Sequence, residues 1–172
     1  MAKVLFISDN IVNESLGIMC LSSYLKLHGH KVELALLSEY KKINNLLEYI
    51  EKISPDLVAF SVMTPQVNIF RPVVKIIKEA TGRTIIWGGA HCMFMPEDVV
   101  KNDYTDIICV GEGEESLLAL MNQIDKQEEL GGITNIWIKK KGGWEKNGLS
   151  DLEANLDKYP FPDRDLYYDR HS

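Results

Sequence analysis

The residues of this chain that could do chemistry are glycines and neutral hydrogen-bonding side chains, grouped in three short segments. The segments are 61–66, 88–91 and 111–114, with the sequences Ser-Val-Met-Thr-Pro-Gln, Gly-Gly-Ala-His and Gly-Glu-Gly-Glu. Glycine lets the backbone approach a bulky ligand closely, and backbone N–H groups at the start of a helix can bind polar groups on that ligand. The segments therefore predict a wide, shallow, uncharged-to-acidic binding surface rather than a tight catalytic pocket.

Catalytic and metal-binding patterns are missing from the sequence. It contains no nucleophile–base pair, no acid–base dyad and no metal motif. The cysteines Cys20, Cys92 and Cys109 are scattered and odd in number, which indicates neither a disulfide framework nor a metal cluster and fits a reducing cytoplasm. The carboxylates of 112–115 precede a predicted helix, where acidic residues are ordinary partners of the helix dipole.

Composition and charge narrow the class of protein. A chain of 172 residues, 45% of them hydrophobic, is long enough for one domain with a full core. The net charge of -6 favours neither nucleic acid nor anionic membranes as partners. No apolar run reaches the roughly 18 residues that a membrane-spanning helix requires. The sequence predicts a soluble, cytoplasmic domain.

Short apolar runs rich in β-branched residues alternate with longer segments of helical period. The predicted strands are 3–9, 32–37, 57–63, 84–90 and 106–111, and the predicted helices are 16–28, 43–53, 67–80, a short one after Pro96, and 116–124. Strands that each precede a helix form a parallel sheet with right-handed crossovers. We predict a flavodoxin-like (Rossmann-like) doubly wound α/β fold with five parallel strands in the order 2-1-3-4-5, whose ligand lies beyond the carboxyl ends of the strands.

The loop after the first strand argues against a dinucleotide cofactor. A Rossmann dinucleotide domain carries Gly-x-Gly-x-x-Gly at this position, where glycines allow the backbone to approach the pyrophosphate. Residues 8–14 here read Ser-Asp-Asn-Ile-Val-Asn-Glu and contain no glycine. The sequence therefore disfavours NAD and FAD as ligands.

The pattern changes after residue 126, which we take as the end of the main α/β unit (1–126). Residues 133–138 alternate like a strand, 139–143 resemble a hairpin turn and 144–147 return, so 127–150 is predicted to be a small antiparallel β extension. Residues 151–172 contain two prolines near 160 and no helical period. They are predicted to form an extended linker towards an absent domain, with a natural tail as the alternative.

Several stretches resemble the cobalamin-binding domain of cobalamin-dependent radical SAM enzymes. Residues 88–97, Gly-Gly-Ala-His-Cys-Met-Phe-Met-Pro-Glu, match that family's Gly-Gly-x-His and Pro-Glu motifs. Residues 106–115 match its Asp-x-x-x-x-Gly-Glu-Gly-Glu motif. The first helix, with Leu16-Gly17, and the tail Leu156-Asp-x-Tyr-Pro-x-Pro also resemble the family, so the resemblance covers nearly the whole chain.

The resemblance implies that cobalamin is the cofactor of this domain. The implied contact residues are Asn10, Ser61, Met63, Thr64, Gln66, Gly88, Gly89, Ala90, His91, Gly111, Glu112, Gly113 and Glu114. It also implies a radical SAM domain in cis, which would hold S-adenosylmethionine and a 4Fe-4S cluster. The cluster motif Cys-x-x-x-Cys-x-x-Cys is not in this sequence. The parent reaction would be methyl transfer or the chemistry of magnesium-protoporphyrin ester cyclase-like members.

One difference between this chain and other cobalamin-binding families concerns the protein ligand of cobalt. Other cobalamin-binding families carry Asp-x-His-x-x-Gly after the first strand, and the histidine there coordinates the metal. In this chain Asp9 matches, but Ile11 stands in place of the histidine and Glu14 in place of the glycine. The radical SAM branch commonly lacks this histidine, so we predict base-off binding without a histidine ligand.

Two other classes of function stay open. A receiver-type signalling domain needs a phosphorylatable aspartate after the third strand and a lysine after the fifth. The sequence places Met63-Thr64 and Glu112 there instead, which disfavours this class. A domain of the same shape that has lost its cofactor and serves as a docking unit remains possible on sequence alone, because contacts to a corrin are largely made by backbone and shape.

Overall fold

A computed structural model describes residues 1–10, 14–101 and 104–168. The strands are β1 to β7, at Lys3–Ser8, Lys31–Leu36, Leu57–Ser61, Thr84–Gly88, Ile107–Cys109, Ile136–Lys140 and Gly143–Lys146. The helices are α1 to α7, at Leu16–Leu27, Ile43–Ile53, Val67–Thr81, Ala90–Phe94, Pro96–Val100, Glu114–Asp125 and Asp165–Tyr168. Two parts of the sequence predictions lie outside the described residues. They are the position of Ile11 and the end of the predicted linker, 169–172.

One seven-stranded sheet organises the chain, in the order β2-β1-β3-β4-β5-β6-β7. Neighbouring strands are parallel from β2 to β5, and β6 and β7 add antiparallel pairs at the edge beyond β5. The predicted order 2-1-3-4-5 with an antiparallel extension is therefore confirmed. The hairpin turn is tighter than predicted, because β6 runs to Lys140 and β7 begins at Gly143, which has a positive φ of 131°.

Helices cover both faces of the sheet, as its continuous apolar strands require. Helices α1 and α6 pack on one face, where Ile18, Leu25 and Leu120 are fully buried. Helices α2 and α3 pack on the other face. Helix α1 begins where the Ser15 hydroxyl accepts a hydrogen bond from the backbone N–H of Ile18 at 3.3 Å. The described residues include no helix long and apolar enough to cross a membrane.

The segment after residue 150 does not run free of the domain. Tyr167 is fully buried in the core beneath α1, and its hydroxyl accepts a hydrogen bond from the backbone N–H of Ser15 at 3.3 Å. The backbone N–H of Asp163 donates to the carbonyl of Met19 at 3.0 Å. The prediction of an extended segment without a helix is thus wrong for Asp165–Tyr168, because α1 offers a surface that buries the tyrosine. A role as a connector to another domain stays a prediction.

Asp163 ties this segment to α1 through charge. Its carboxylate accepts hydrogen bonds from the Lys26 ammonium and the Ser22 hydroxyl, each at 2.6 Å. Burial alone would raise the pKa of this carboxyl, but the two hydrogen bonds outweigh it and hold the pKa of Asp163 below its usual range.

Replacing Asp163 with asparagine is expected to lower the free energy of unfolding at pH 7 by roughly 1–2 kcal/mol. A carboxyl whose pKa is depressed by folding stabilises the protein above its unfolded pKa of about 3.9, and that stability is lost as the pH falls through the folded value. Urea unfolding at several pH values should therefore show the difference from the original chain narrowing below about pH 4. Asp157→Asn, at an exposed position, is the matched control, and a pH-independent difference would contradict an ionic origin.

Candidate functional site

A cavity of about 240 Å³ lies between the sheet, α1 and α6 near the carboxyl ends of the strands. Phe6, Ala59 and Ile86 form its floor and are paired in register on the neighbouring strands β1, β3 and β4. Ala59 has only a methyl group and lies between two larger side chains. The space that it leaves unfilled gives the cavity its depth. Leu21 of α1 and Leu117 of α6 form its walls. The arrangement makes an apolar slot rather than a polar pocket.

Glycines keep this cavity open. A Cβ at Gly17 would have no atom closer than Ser15 Oγ at 3.9 Å, and a Cβ at Gly88 would meet only the Cβ of Cys109, at 3.6 Å. Both glycines line the cavity, so a side chain at either position would reach unoccupied space. The cavity therefore has room for a flat apolar group that enters from the edge of the sheet.

A second, open cleft of about 680 Å³ lies beyond the carboxyl ends of β1 and β3. It is lined by Ser8, Glu14, Ser15, Leu16, Ser61, Met63 and Gln66. Strand order reverses between β1 and β3, which is the position where doubly wound sheets bind ligands. Ser61 lines both the cleft and the cavity, so the two spaces meet at this side chain.

The structure separates the residues expected at the site into three groups. Those that line the apolar cavity are Ser61, Gly88, Gly89, Gly111, Glu112, Gly113 and Glu114. Met63 and Gln66 line the open cleft, and the Gln66 amide oxygen accepts a hydrogen bond from the Met63 N–H at 2.9 Å. Among the described residues, Asn10, Thr64, Ala90 and His91 do not line either space.

Two of the glycines are required by the protein itself. A Cβ at Gly89, where φ is 88°, would lie 2.7 Å from the backbone N of Val62. A Cβ at Gly111 would lie 2.7 Å from the side chain of Asn135. That buried asparagine holds the segment before α6, because its amide donates to the carbonyl of Glu112 at 3.1 Å. Asn135 was not among the residues predicted from the sequence. Its positive φ, which asparagine adopts more readily than most residues, is visible only in the structure.

Neither His91 nor Cys109 offers a free metal ligand. His91 is 3% exposed, and its ring nitrogens contact Thr64 Oγ1 at 3.2 Å and Asp98 Oδ2 at 3.1 Å. Burial raises the pKa of the Cys109 thiol to about 11, so it stays protonated at neutral pH, whereas the thiolate is the form that binds metals. Among the described residues, no group of three or more His, Cys, Asp or Glu side chains could hold a metal ion.

The carboxylates at the start of α6 are mostly engaged by the protein. Glu115 accepts hydrogen bonds from Lys158 and Tyr24, and the bond from Lys158 is the main reason why the pKa of Glu115 lies below its usual range. Glu112 accepts a hydrogen bond from the backbone N–H of Glu153 at 3.0 Å. These contacts anchor the segment after residue 150 and do not form an acid–base pair.

These features define a doubly wound α/β domain with an apolar cavity and a cleft at the carboxyl ends of its parallel strands. The B12 binding domain family matches residues 2–121. The chain therefore belongs to the B12-binding domain family.

Similar proteins are larger than this chain. An uncharacterized methyltransferase of Pyrococcus horikoshii is 29% identical over 88% of this chain and 33% of its own length. The anaerobic magnesium-protoporphyrin IX monomethyl ester cyclase of Cereibacter sphaeroides is 30% identical over 49% of this chain and 14% of its own length. The chain thus spans a third or less of these curated relatives.

A solved structure shares the fold. The cobalamin-dependent S-adenosylmethionine radical enzyme OxsB, with aqua-cobalamin and S-adenosylmethionine bound, superposes with a TM-score of 0.80. The match covers 96% of this chain and 24% of that one, at 22% sequence identity. At this level of identity the likeness concerns the fold alone.

Proposed function

We propose that this domain binds cobalamin base-off, with the nucleotide base of the cofactor in the apolar cavity and the corrin ring over the open cleft. The observation that carries the proposal is the apolar cavity, which meets the cleft at Ser61. Phe6, Leu21 and Leu117 would pack against an aromatic base, since apolar side chains and glycines line this kind of slot. A base placed there would be held away from cobalt.

The residues around the open cleft would hold the corrin ring through shape and neutral contacts. Ser8, Ser15 and Ser61 offer hydroxyl groups, and Met63 offers a half-exposed apolar side chain. No imidazole is among the residues that line the cleft in the described part of the chain. The proposal therefore includes no histidine ligand to cobalt.

The parent protein is proposed to be a cobalamin-dependent radical SAM enzyme. Its radical SAM domain would follow in cis and hold S-adenosylmethionine and a 4Fe-4S cluster. The names of the similar proteins support methyl transfer, with ester cyclase-like chemistry as the second possibility. Cobalamin would supply a cobalt-bound methyl group or an open coordination site, and this domain would orient it.

Titration with hydroxocobalamin tests the proposal. We expect a saturable change in the visible spectrum of the cofactor. After reduction to cob(II)alamin, each cobalt line in the EPR spectrum should show no splitting by a nitrogen nucleus.

Labelling the protein with ¹⁵N separates the ways in which this test could fail. A nitrogen splitting that stays a triplet in labelled protein would mean that the cofactor keeps its own base on cobalt. A splitting that becomes a doublet would reveal a protein nitrogen as the ligand. The absence of any spectral change would contradict cobalamin binding and favour a docking unit without a cofactor.

A further inference from the structure

We propose that His91 is a positioning residue, which holds the segments after β3 and β4 in one arrangement and thereby places Met63 beside the open cleft. The proposal rests on the proposed function for the identity of the ligand. The contacts that carry it are made within the protein.

The backbones of the two segments are joined directly. The N–H of Val62 donates to the carbonyl of Gly88 at 2.8 Å, and the N–H of His91 donates to the carbonyl of Val62 at 2.9 Å. Gly89 allows this close approach, because any Cβ there would collide with the backbone of Val62. The start of α4 is therefore fixed against the end of β3.

The His91 side chain adds a second contact to the segment after β3 and extends the connection to two further elements. One ring nitrogen, Nδ1, lies 3.2 Å from the hydroxyl of Thr64, just after β3. The other, Nε2, lies 3.1 Å from Oδ2 of Asp98 in α5. Arg71 of α3 donates to the same carboxylate oxygen at 2.6 Å. A single buried imidazole thus links the segment after β3 with α5 and, through the carboxylate, with α3.

Hydrogen-bond chemistry assigns a direction to each contact. A carboxylate only accepts, so Nε2 of His91 donates to Asp98. In the neutral ring Nδ1 then accepts from the Thr64 hydroxyl. A polar network in which every member has a partner, here centred on the buried ring of His91, favours one arrangement of its surroundings. The ring orientation of His91 is therefore set by its two partners.

Exposed apolar side chains adjoin the network along the chain, namely Met63 next to Thr64, and Met93, Phe94 and Met95 just after His91. Met63 immediately precedes Thr64 and lines the open cleft, whereas His91 and Thr64 line neither the cleft nor the cavity. Loss of the Thr64–His91 contact would loosen the segment that carries Met63 without removing any group that faces the ligand spaces.

A double-mutant cycle tests the proposal. In His91→Gln the side-chain amide can still reach Asp98 but not Thr64, and Thr64→Val removes the hydroxyl at an exposed position. Each variant is expected to weaken cobalamin binding by about fivefold to tenfold, the effect of one lost hydrogen bond. The double variant should be no weaker than either single one.

Two further variants serve as controls. Thr64→Ser keeps the hydroxyl and should bind cobalamin like the original chain. Thr134→Val changes an exposed threonine away from the network and should have no effect. Additive losses in the double variant would overturn the proposal, because Thr64 and His91 would then act independently on the ligand. Unchanged binding in both single variants would overturn it as well.

Hydrogen exchange of the ligand-free protein gives a second readout that does not depend on cobalamin. In both single variants the amides of Met63 and His91 should exchange faster, while those of β3 at Val58 and Phe60 stay protected. Unchanged exchange would overturn the positioning role even if cobalamin affinity fell. Failure of the original chain to bind cobalamin would refute the proposed function, while exchange would still decide the role of His91.

Discussion

Replacement of Gly88 by leucine is expected to weaken cobalamin binding by about 100-fold while leaving the fold at least as stable as before. Gly88 lies on the same strand face as Ile86, two residues earlier, so a side chain at this position projects into the apolar cavity. Burial of an apolar group of the size of an aromatic base contributes about 3 kcal/mol, which corresponds to roughly 100-fold in Kd.

The expected gain in stability has two sources. Glycine within a strand costs about 0.5–1 kcal/mol relative to alanine, and that cost disappears. The new Cβ would lie 3.6 Å from the Cβ of Cys109, which is an ordinary contact, so no clash offsets the gain. Gly88→Leu should therefore lower the affinity for cobalamin in the titration and raise the free energy of unfolding measured in urea.

Two comparisons make this experiment specific to the base of the cofactor. Gly142→Leu changes a glycine with open space around it, outside the cavity, and should leave cobalamin binding unchanged. Cobinamide, a corrinoid without the nucleotide, should bind the original chain and Gly88→Leu equally well. If Gly88→Leu binds cobalamin with full affinity, the base does not enter the cavity.

Removal of the Tyr167 side chain is expected to cost about 3–5 kcal/mol of the free energy of unfolding. The ring is fully buried in the core that α1 and α6 share, so Tyr167→Ala would leave a cavity there. Tyr167→Phe keeps the ring and loses the hydrogen bond from the Ser15 N–H, for which about 1 kcal/mol is expected. Urea unfolding of the variants at pH 7 gives both values.

Phe161 provides the matched control for Tyr167. It is an aromatic residue of the same segment but is 95% exposed, so Phe161→Ala should change the free energy of unfolding by no more than about 0.5 kcal/mol. If Tyr167→Ala were as mild as Phe161→Ala, the segment would not be part of the folded domain. That result would support the prediction that the segment is a linker free of the domain.

The sequence was sufficient to predict the sheet, because each strand is a continuous apolar run and each helix has its own period. The predicted end of the first helix lies close to the observed one, and Gly29, with φ at 85°, follows its C-cap residue as glycine commonly does. The short helix α7 was missed in the segment after residue 150, since the burial of Tyr167 depends on a surface of α1 that is distant in sequence. Periodicity over a few residues carries no information about such a partner.

The candidate site was predictable only where residue type marks it. Glycines such as Gly88 and Gly111 attract notice in any sequence, and the structure places both along the cavity. Phe6, Ala59 and Ile86 look like ordinary core residues, because an apolar strand residue has the same pattern whether it faces a helix or an empty slot. The orientation of the buried His91 ring also depends on Asp98 and Thr64, which only the folded chain brings to it.

The contacts between α1 and the end of the domain have a consequence for biosynthesis. Ser22 and Asp163 are 141 positions apart, and Ser15 and Tyr167 are 152 apart. A ribosome makes the chain from its N-terminus at roughly 5–20 residues per second, so the helix that walls the cavity emerges many seconds before its last partners. The nascent domain therefore passes through a stage in which its sheet can form while α1 still lacks its contacts with Asp163 and Tyr167. Secure enclosure of a ligand becomes possible only after Tyr167 has left the ribosome.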